Sequence, residues 1–240
     1  MPPLLHPRLV NDPAGDPSLF IPFMYEKRAL LFDAGDLSAL SPRDILKISH
    51  VFITHTHMDH FIGFDRLIRI GLGRPINLHV YGPEGLIDRI SAKLGGYSWN
   101  LVENYEASMV LTAHEVRPGA LTTCDFSCRQ RFERTAERQA SMNNGVIHRE
   151  PAFSVEAVIL DHDIQCAAYA VKERFSVNIR KEMLVQMGLT PGPWLNEFKQ
   201  ALYAEKDRNT IFEIPTDNAA AVRRFALGDL ADRLALITEG

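Results

Sequence analysis

Cysteine is scarce in this chain, with Cys124, Cys128 and Cys166 alone among 240 residues. Three thiols cannot build a disulfide framework, which fits a reducing compartment. Cys124 and Cys128 lie four apart with no second pair to complete a zinc knuckle, so they read as reduced thiols. Long apolar runs are missing too. No stretch is long enough to span a bilayer, and Met1-Pro2-Pro3-Leu4-Leu5-His6-Pro7 has no apolar core of signal-peptide length. The expectation is a soluble, cytoplasmic protein with no membrane contact. Nor is positive charge in excess. Lys and Arg number 26 against 30 Asp and Glu, a formal net charge of −4, so nucleic-acid binding would need a local basic patch. The chain has no internal repeat and no low-complexity tract.

What is present suits one large α/β domain over residues 1–240. Hydrophobic residues make up 46% and charged residues 23%, both ordinary for a globular chain of this size. Leu19 to Tyr25 and Ala29 to Phe32 read as a hairpin, and Ser41-Pro42-Arg43-Asp44 as a capped helix start. Val51-Phe52-Ile53-Thr54 is a buried strand running into a histidine-rich loop, and helical spacing resumes near Asp59. Further strands are expected at Leu78 to Tyr81, Val110 to Val116, Phe153 to Leu160 and Cys166 to Val171. A helix should follow Gly82-Pro83 to about Leu94, and Leu230 to Leu236 looks helical. The polar stretch from about Arg129 to Asn144 reads as a loop. Residues 172–208 carry Lys172, Arg174, Arg180, Lys181, Lys199, Lys206 and Arg208 around Leu189-Thr190-Pro191-Gly192-Pro193. They read as two short helices on a rigid turn, projecting from the domain.

The loop His55-Thr56-His57-Met58-Asp59-His60 carries the chemistry. Histidines at i and i+2 of an extended segment point to one side, so His55 and His57 can share a metal ion. Asp59 and His60, where the chain turns into a helix, can reach a second ion. Neutral imidazoles with a carboxylate suit zinc. A third ligand for the first ion is expected from His162, at the end of the strand Val158-Ile159-Leu160-Asp161. Asp33 ends a strand and is expected to fix the tautomer of a ligand histidine. His6, His50, His79, His114 and His148 lack such context and read as ordinary histidines.

Phe32-Asp33-Ala34-Gly35-Asp36 followed by Val51 to His60 resembles the metallo-β-lactamase superfamily. Asp161-His162 leading into Ala168-Tyr169-Ala170-Val171-Lys172-Glu173, with Met187-Gly188-Leu189-Thr190-Pro191-Gly192-Pro193, resembles its tRNase Z (ribonuclease Z) group. The resemblance implies an αββα sandwich with an inserted helical arm. It implies His55, His57 and His162 on one zinc, Asp59 and His60 on another, and Asp59 as the proton acceptor for the attacking water. A homodimer would grip precursor tRNA through the arm around Gly192 and Pro193 and remove the 3′ trailer. Such proteins also carry a bridging aspartate after the arm and a last histidine, whereas here no histidine follows His162. The fold is therefore expected to lack its C-terminal portion. Two zinc ions per complete domain reduce to one in these 240 residues, with little turnover. The rival readings are a hydrolase of the same fold acting on a small phosphodiester, thioester or lactone, and a non-catalytic RNA-binding relative.

Overall fold

A computed structural model describes residues 4–215 and 222–239 of the chain. The N-terminal half forms one eight-stranded sheet in sequence order. It comprises β1 (Arg8–Leu9), β2 (Leu19–Pro22), β3 (Ala29–Phe32), β4 (Ile48–Phe52), β5 (Asn77–Pro83), β6 (Val110–Arg117), β7 (Ala120–Ser127) and β8 (Arg138–Ser141). β2 and β3 pair as the expected antiparallel hairpin. β3 through β6 then run parallel, so each connection must cross over one face. Three crossover segments carry helices: α1 (Pro42–Ile45), then α2 (Met58–Phe61) with α3 (Phe64–Gly71), then α4 (Leu86–Gly95). The Ser41 side chain caps α1 by accepting from Asp44 N at 3.1 Å, with Pro42 in the first turn.

Period-two alternation in these strands builds two cores. Leu31, Val51, Val80 and Ala113 face Phe64, Leu67 and Ile68 of α3 and Ile87, Ile90 and Leu94 of α4. Leu30, Phe52, Tyr81 and Val116 face the other way. There they meet a second sheet of β9 (Val146–Arg149), β10 (Phe153–Asp161) and β11 (Gln165–Glu173), in the order β11-β10-β9. Helices, large sheet and small sheet thus stack in layers, the mixed α/β architecture that the sequence leads one to expect.

The remaining elements are β12 (Phe175–Ile179), α5 (Lys181–Gln186), α6 (Trp194–Tyr203), β13 (Ile211–Pro215), β14 (Val222–Ala226), α7 (Leu227–Leu234) and β15 (Ala235–Glu239). They correct the projecting arm. The two helices exist as α5 and α6, but Leu184, Leu189, Trp194, Phe198, Ala201 and Tyr203 are buried in the second core. Trp194, Phe198 and Ala201 recur at i, i+4 and i+7, an apolar stripe that must be covered. Lys172 lies in β11, not on a helix. Strands β1, β7 to β9 and β12 to β15 escaped the sequence reading. β7 follows a turn at Gly119 (φ 75°) and buries Thr122, Cys124 and Phe126, so its alternation was present but masked by threonines. β8, inside the stretch taken for a loop, is a fully exposed edge strand. The C-terminal helix ends at Leu234, and β15 pairs with β12. Among the described residues no helix is long and apolar enough to cross a membrane.

One close approach positions the histidine loop. The Ala34–Gly35 turn lies against the start of the second crossover, with Ala34 N donating to His60 O at 2.8 Å and Gly63 N to Ala34 O at 2.8 Å. A Cβ on Gly63 would sit 2.1 Å from the backbone oxygen of Gly35. Gly63→Ala is therefore expected to destabilise the fold by about 2 kcal/mol or more, read by thermal or urea unfolding. An unchanged midpoint would mean the two turns separate freely.

Candidate metal centre

The strand carrying the loop is fixed from both sides beyond the end of β4. Ile53 N donates to Tyr81 O at 2.7 Å in the large sheet, while Ala167 N donates to Thr54 O at 2.7 Å from β11. The Tyr169 hydroxyl donates to Ile53 O at 2.8 Å. The β10–β11 hairpin is thereby docked on the loop. Its tip, where His162 N donates to Ile164 O, places the exposed His162 beside the other histidines.

His55 is buried, His60 half-buried, and His57 and Asp59 exposed. His55 Nε2 faces His57 Nδ1 at 3.0 Å. Two nitrogens on one tetrahedral zinc lie about 3.3 Å apart, so this pair has the spacing of two ligands of one ion. Imidazoles sharing a zinc have ring centres about 5 Å apart. His55–His57, His55–His162 and His57–His162 are separated by 4.4, 5.7 and 6.5 Å, so His162 has to close by about an ångström. His60 Nε2 lies 3.6 Å from Asp59 Oδ2, near the span of two donors on a second ion. The residues present thus fit zinc as two pairs with one outlying histidine. Burial, then the neighbouring His60, His57 and His162, push His55 below its ordinary value, keeping the neutral imidazole that metals bind.

Asp33 sits under this group with φ 55°, a left-handed conformation that aspartate tolerates better than most residues. Its buried carboxylate accepts from Thr54 N at 2.7 Å and from the Thr54 hydroxyl at 3.0 Å. His60 Nδ1 lies 2.9 Å from Asp33 Oδ2, which leaves Nε2 facing Asp59. Burial pushes the Asp33 carboxyl up, against the opposing pull of Thr54 and His60. Two neighbours escaped the sequence reading. The Thr54 hydroxyl, within 3.3 Å of Asp33, His55 and His60, was legible only as the residue before His55. Cys166 Sγ, 4.0 Å from His55 Nδ1, had no local signal.

The basic residues of the α5–α6 segment are not equivalent. Lys172 is paired with Glu156 at 2.7 Å, and Lys199 meets the Tyr25 hydroxyl at 3.0 Å. Arg180 and Lys181 are exposed and form no ion pair among the described residues. Gly192 and Pro193 lead directly into α6.

Two histidines read as ordinary lie together in a donor cluster. Among the described residues, the only three donor groups within 4.8 Å of one another are His50, His148 and Glu150; no three loop donors come so close. His148 Nε2 contacts Glu150 Oε1 at 2.9 Å, and Arg28 donates to both Glu150 oxygens at 2.6 Å. His148 and Glu150 share the i, i+2 spacing of His55 and His57, but His50 is 98 residues from His148. Only the packing of β4 against the second sheet joins them.

Fold and loop together define an α/β protein with a candidate histidine-aspartate metal centre at a strand-to-helix junction. Curated proteins that it resembles include ribonucleases Z. It is 30% identical over 201 residues to the one from Deinococcus radiodurans, covering 82% of this chain and 60% of that protein. It is 31% identical over 188 residues to that from Pyrococcus abyssi, covering 73% and 49%. The chain thus spans about half to three-fifths of these relatives' length. No family model matches. Among solved structures, the short form of human tRNase Z is similar at 20% identity and a TM-score of 0.44, covering 70% of this chain and 62% of that one. A diphosphatase from the PhnP family is similar at 16% and 0.41, covering 80% and 70%. The resemblance to the ribonuclease Z group therefore extends well beyond the histidine loop.

The Glu150 cluster makes a pH-dependent contribution to stability. Burial raises the Glu150 carboxyl, but His148 and Arg28 outweigh it and hold the group down at about 2, against an ordinary 4.5. A folded value below the unfolded one stabilises fully above pH 4.5, and that contribution is lost as pH falls towards 2. Glu150→Gln is expected to cost about 2 kcal/mol at neutral pH, discounted for partial exposure, with the difference from wild type vanishing in acid. A pH-independent difference in urea midpoint would contradict this.

Proposed function

We propose that this chain supplies the metal centre of a zinc-dependent endoribonuclease that removes the 3′ trailer from precursor tRNA and leaves a 3′-hydroxyl. The observation that carries the reading is the pairing of His55 with His57 and of His60 with Asp59, with Asp33 holding His60 from beneath. Similarity to ribonucleases Z over 82% of the chain supports the substrate class. His55, His57 and His162 would hold one zinc, and Asp59 and His60 the other. Bound zinc in such a centre supplies a lowered water pKa and stabilises negative charge on phosphoryl oxygen. Asp59, exposed at the rim, takes the proton of the attacking water. Asp33 holds His60 in the tautomer that leaves Nε2 for the metal.

Precursor tRNA is gripped by phosphate contacts from the α5–α6 face, where Arg180 and Lys181 form no ion pair among the described residues and Gly192, Pro193 and Lys199 belong to α6 and its approach, together with Lys172 on β11. The homodimer implied by the resemblance belongs to this reading and is checked by light scattering. So does a cytoplasmic location, checked by cell fractionation. Among the described residues Asp59 and His60 are the donors placed for the second ion, and catalytic zinc usually takes three, so this ion is expected to bind weakly. Turnover is expected to be negligible at one zinc per chain.

In excess zinc, cleavage of precursor tRNA should become measurable. His57→Ala or Asp59→Ala should lower it about 100-fold or more while circular dichroism stays unchanged. Cleavage at wild-type rate in both variants would remove the loop from the chemistry. A separate expectation concerns recognition. Arg180→Ala with Lys181→Ala should weaken precursor-tRNA binding and reduce the slope of log affinity against log salt by about 2, leaving hydrolysis of a small chromogenic phosphodiester intact. An unchanged slope would transfer recognition elsewhere and favour a small substrate.

A further inference from the structure

We propose that His50, His148 and Glu150 form a second metal site, for a zinc-class divalent cation, that clips the large sheet to the three-stranded sheet. His50 lies on β4 in the large sheet, His148 on β9 in the small one, and Glu150 one residue past the end of β9. One donor atom from each falls within 4.8 Å of the other two. Two imidazoles and a carboxylate, with a position left for water, form a donor set that zinc takes.

Both imidazoles are oriented as ligands are. The Ser49 hydroxyl lies 2.9 Å from His50 Nδ1, and the Tyr81 hydroxyl lies 3.4 Å from His148 Nδ1. Each ring thus has one nitrogen engaged by a hydroxyl and Nε2 left for the cluster, the outer support that metal-binding histidines usually have. Burial, followed by His148 and His79, drives His50 down to about 2, so its imidazole is neutral and competent at any ordinary pH.

An ion pair alone does not account for His50. Arg28, His148 and Glu150 satisfy one another, yet His50 is buried against His148 with ring centres 4.2 Å apart and bonds to neither partner. It brings a further nitrogen to the point where Glu150 Oε1 and His148 Nε2 meet. An ion entering there replaces the 2.9 Å contact between those two atoms. Arg28 can keep Glu150 Oε2, to which its second terminal nitrogen already donates. Arg28 and Glu150 also line a surface groove of about 1000 Å³. The guanidinium beside the site opposes a cation, so affinity is moderate and Arg28 tunes it.

The inference stands apart from the histidine-loop reading, and its test separates the two. With His57→Ala and His60→Ala disabling the loop, the chain is titrated with zinc by calorimetry and with cobalt by visible absorption. It should still bind one equivalent, and zinc should raise its thermal midpoint. Adding His148→Gln should abolish both effects, with circular dichroism confirming the fold. In the otherwise native chain, Arg28→Gln should tighten the same equivalent about tenfold, which loss of a merely structural ion pair would not do. Failure of the loop-disabled chain to bind zinc up to millimolar concentration would overturn the proposal. So would binding unaffected by His148→Gln, or weakened by Arg28→Gln.

Discussion

The hydrogen bonds of the Asp33 carboxylate are the interaction on which the candidate centre depends. Three donors converge on it: the Thr54 amide, the Thr54 hydroxyl and the imidazole of His60. They tie the end of β3 to the end of β4 and to the first helical turn beyond it. Burying a carboxylate is costly unless it is fully hydrogen-bonded, so the sequence has to provide these partners together. The left-handed backbone at Asp33 and the contact of Gly35 with Gly63 follow from the same need. Both allow the turn after β3 to approach the loop closely enough for the carboxylate to reach His60.

The second sheet completes the arrangement from the opposite side. β11 bonds to Ile53 and Thr54, so the hairpin bearing His162 is located by the strand that bears His55. Six of the nine histidines fall into two groups, one at the exit of β4 and one five residues earlier on that strand. In the first, the imidazoles lie against each other and a buried acid; in the second, against a carboxylate already held by arginine. Burial beside other histidines pushes one imidazole of each group, His55 in the first and His50 in the second, below its ordinary value.

The elements legible in the sequence were those with a local cause. The Ser41-Pro42 cap, the β2–β3 hairpin, the apolar run into His55 and the i, i+2 histidines each act within a few residues. What escaped was set by distant packing. Trp194, Phe198 and Ala201 were overlooked among lysines and arginines, so a packed pair of helices read as a free arm. The alternation of Thr122, Cys124 and Phe126 was hidden by small polar residues. His50 carried no local signal, because its partners His148 and Glu150 arrive from another sheet.

Zinc titration of Asp33→Asn tests the central claim most directly. Asparagine tolerates the same left-handed backbone, so the change removes the carboxylate charge and little else. The account predicts a loss of zinc affinity at the histidine loop of about 10- to 100-fold, with the far-ultraviolet circular dichroism of the wild type retained. Unchanged affinity in a folded Asp33→Asn protein would contradict it, because the loop would then hold its ligands without the carboxylate beneath them.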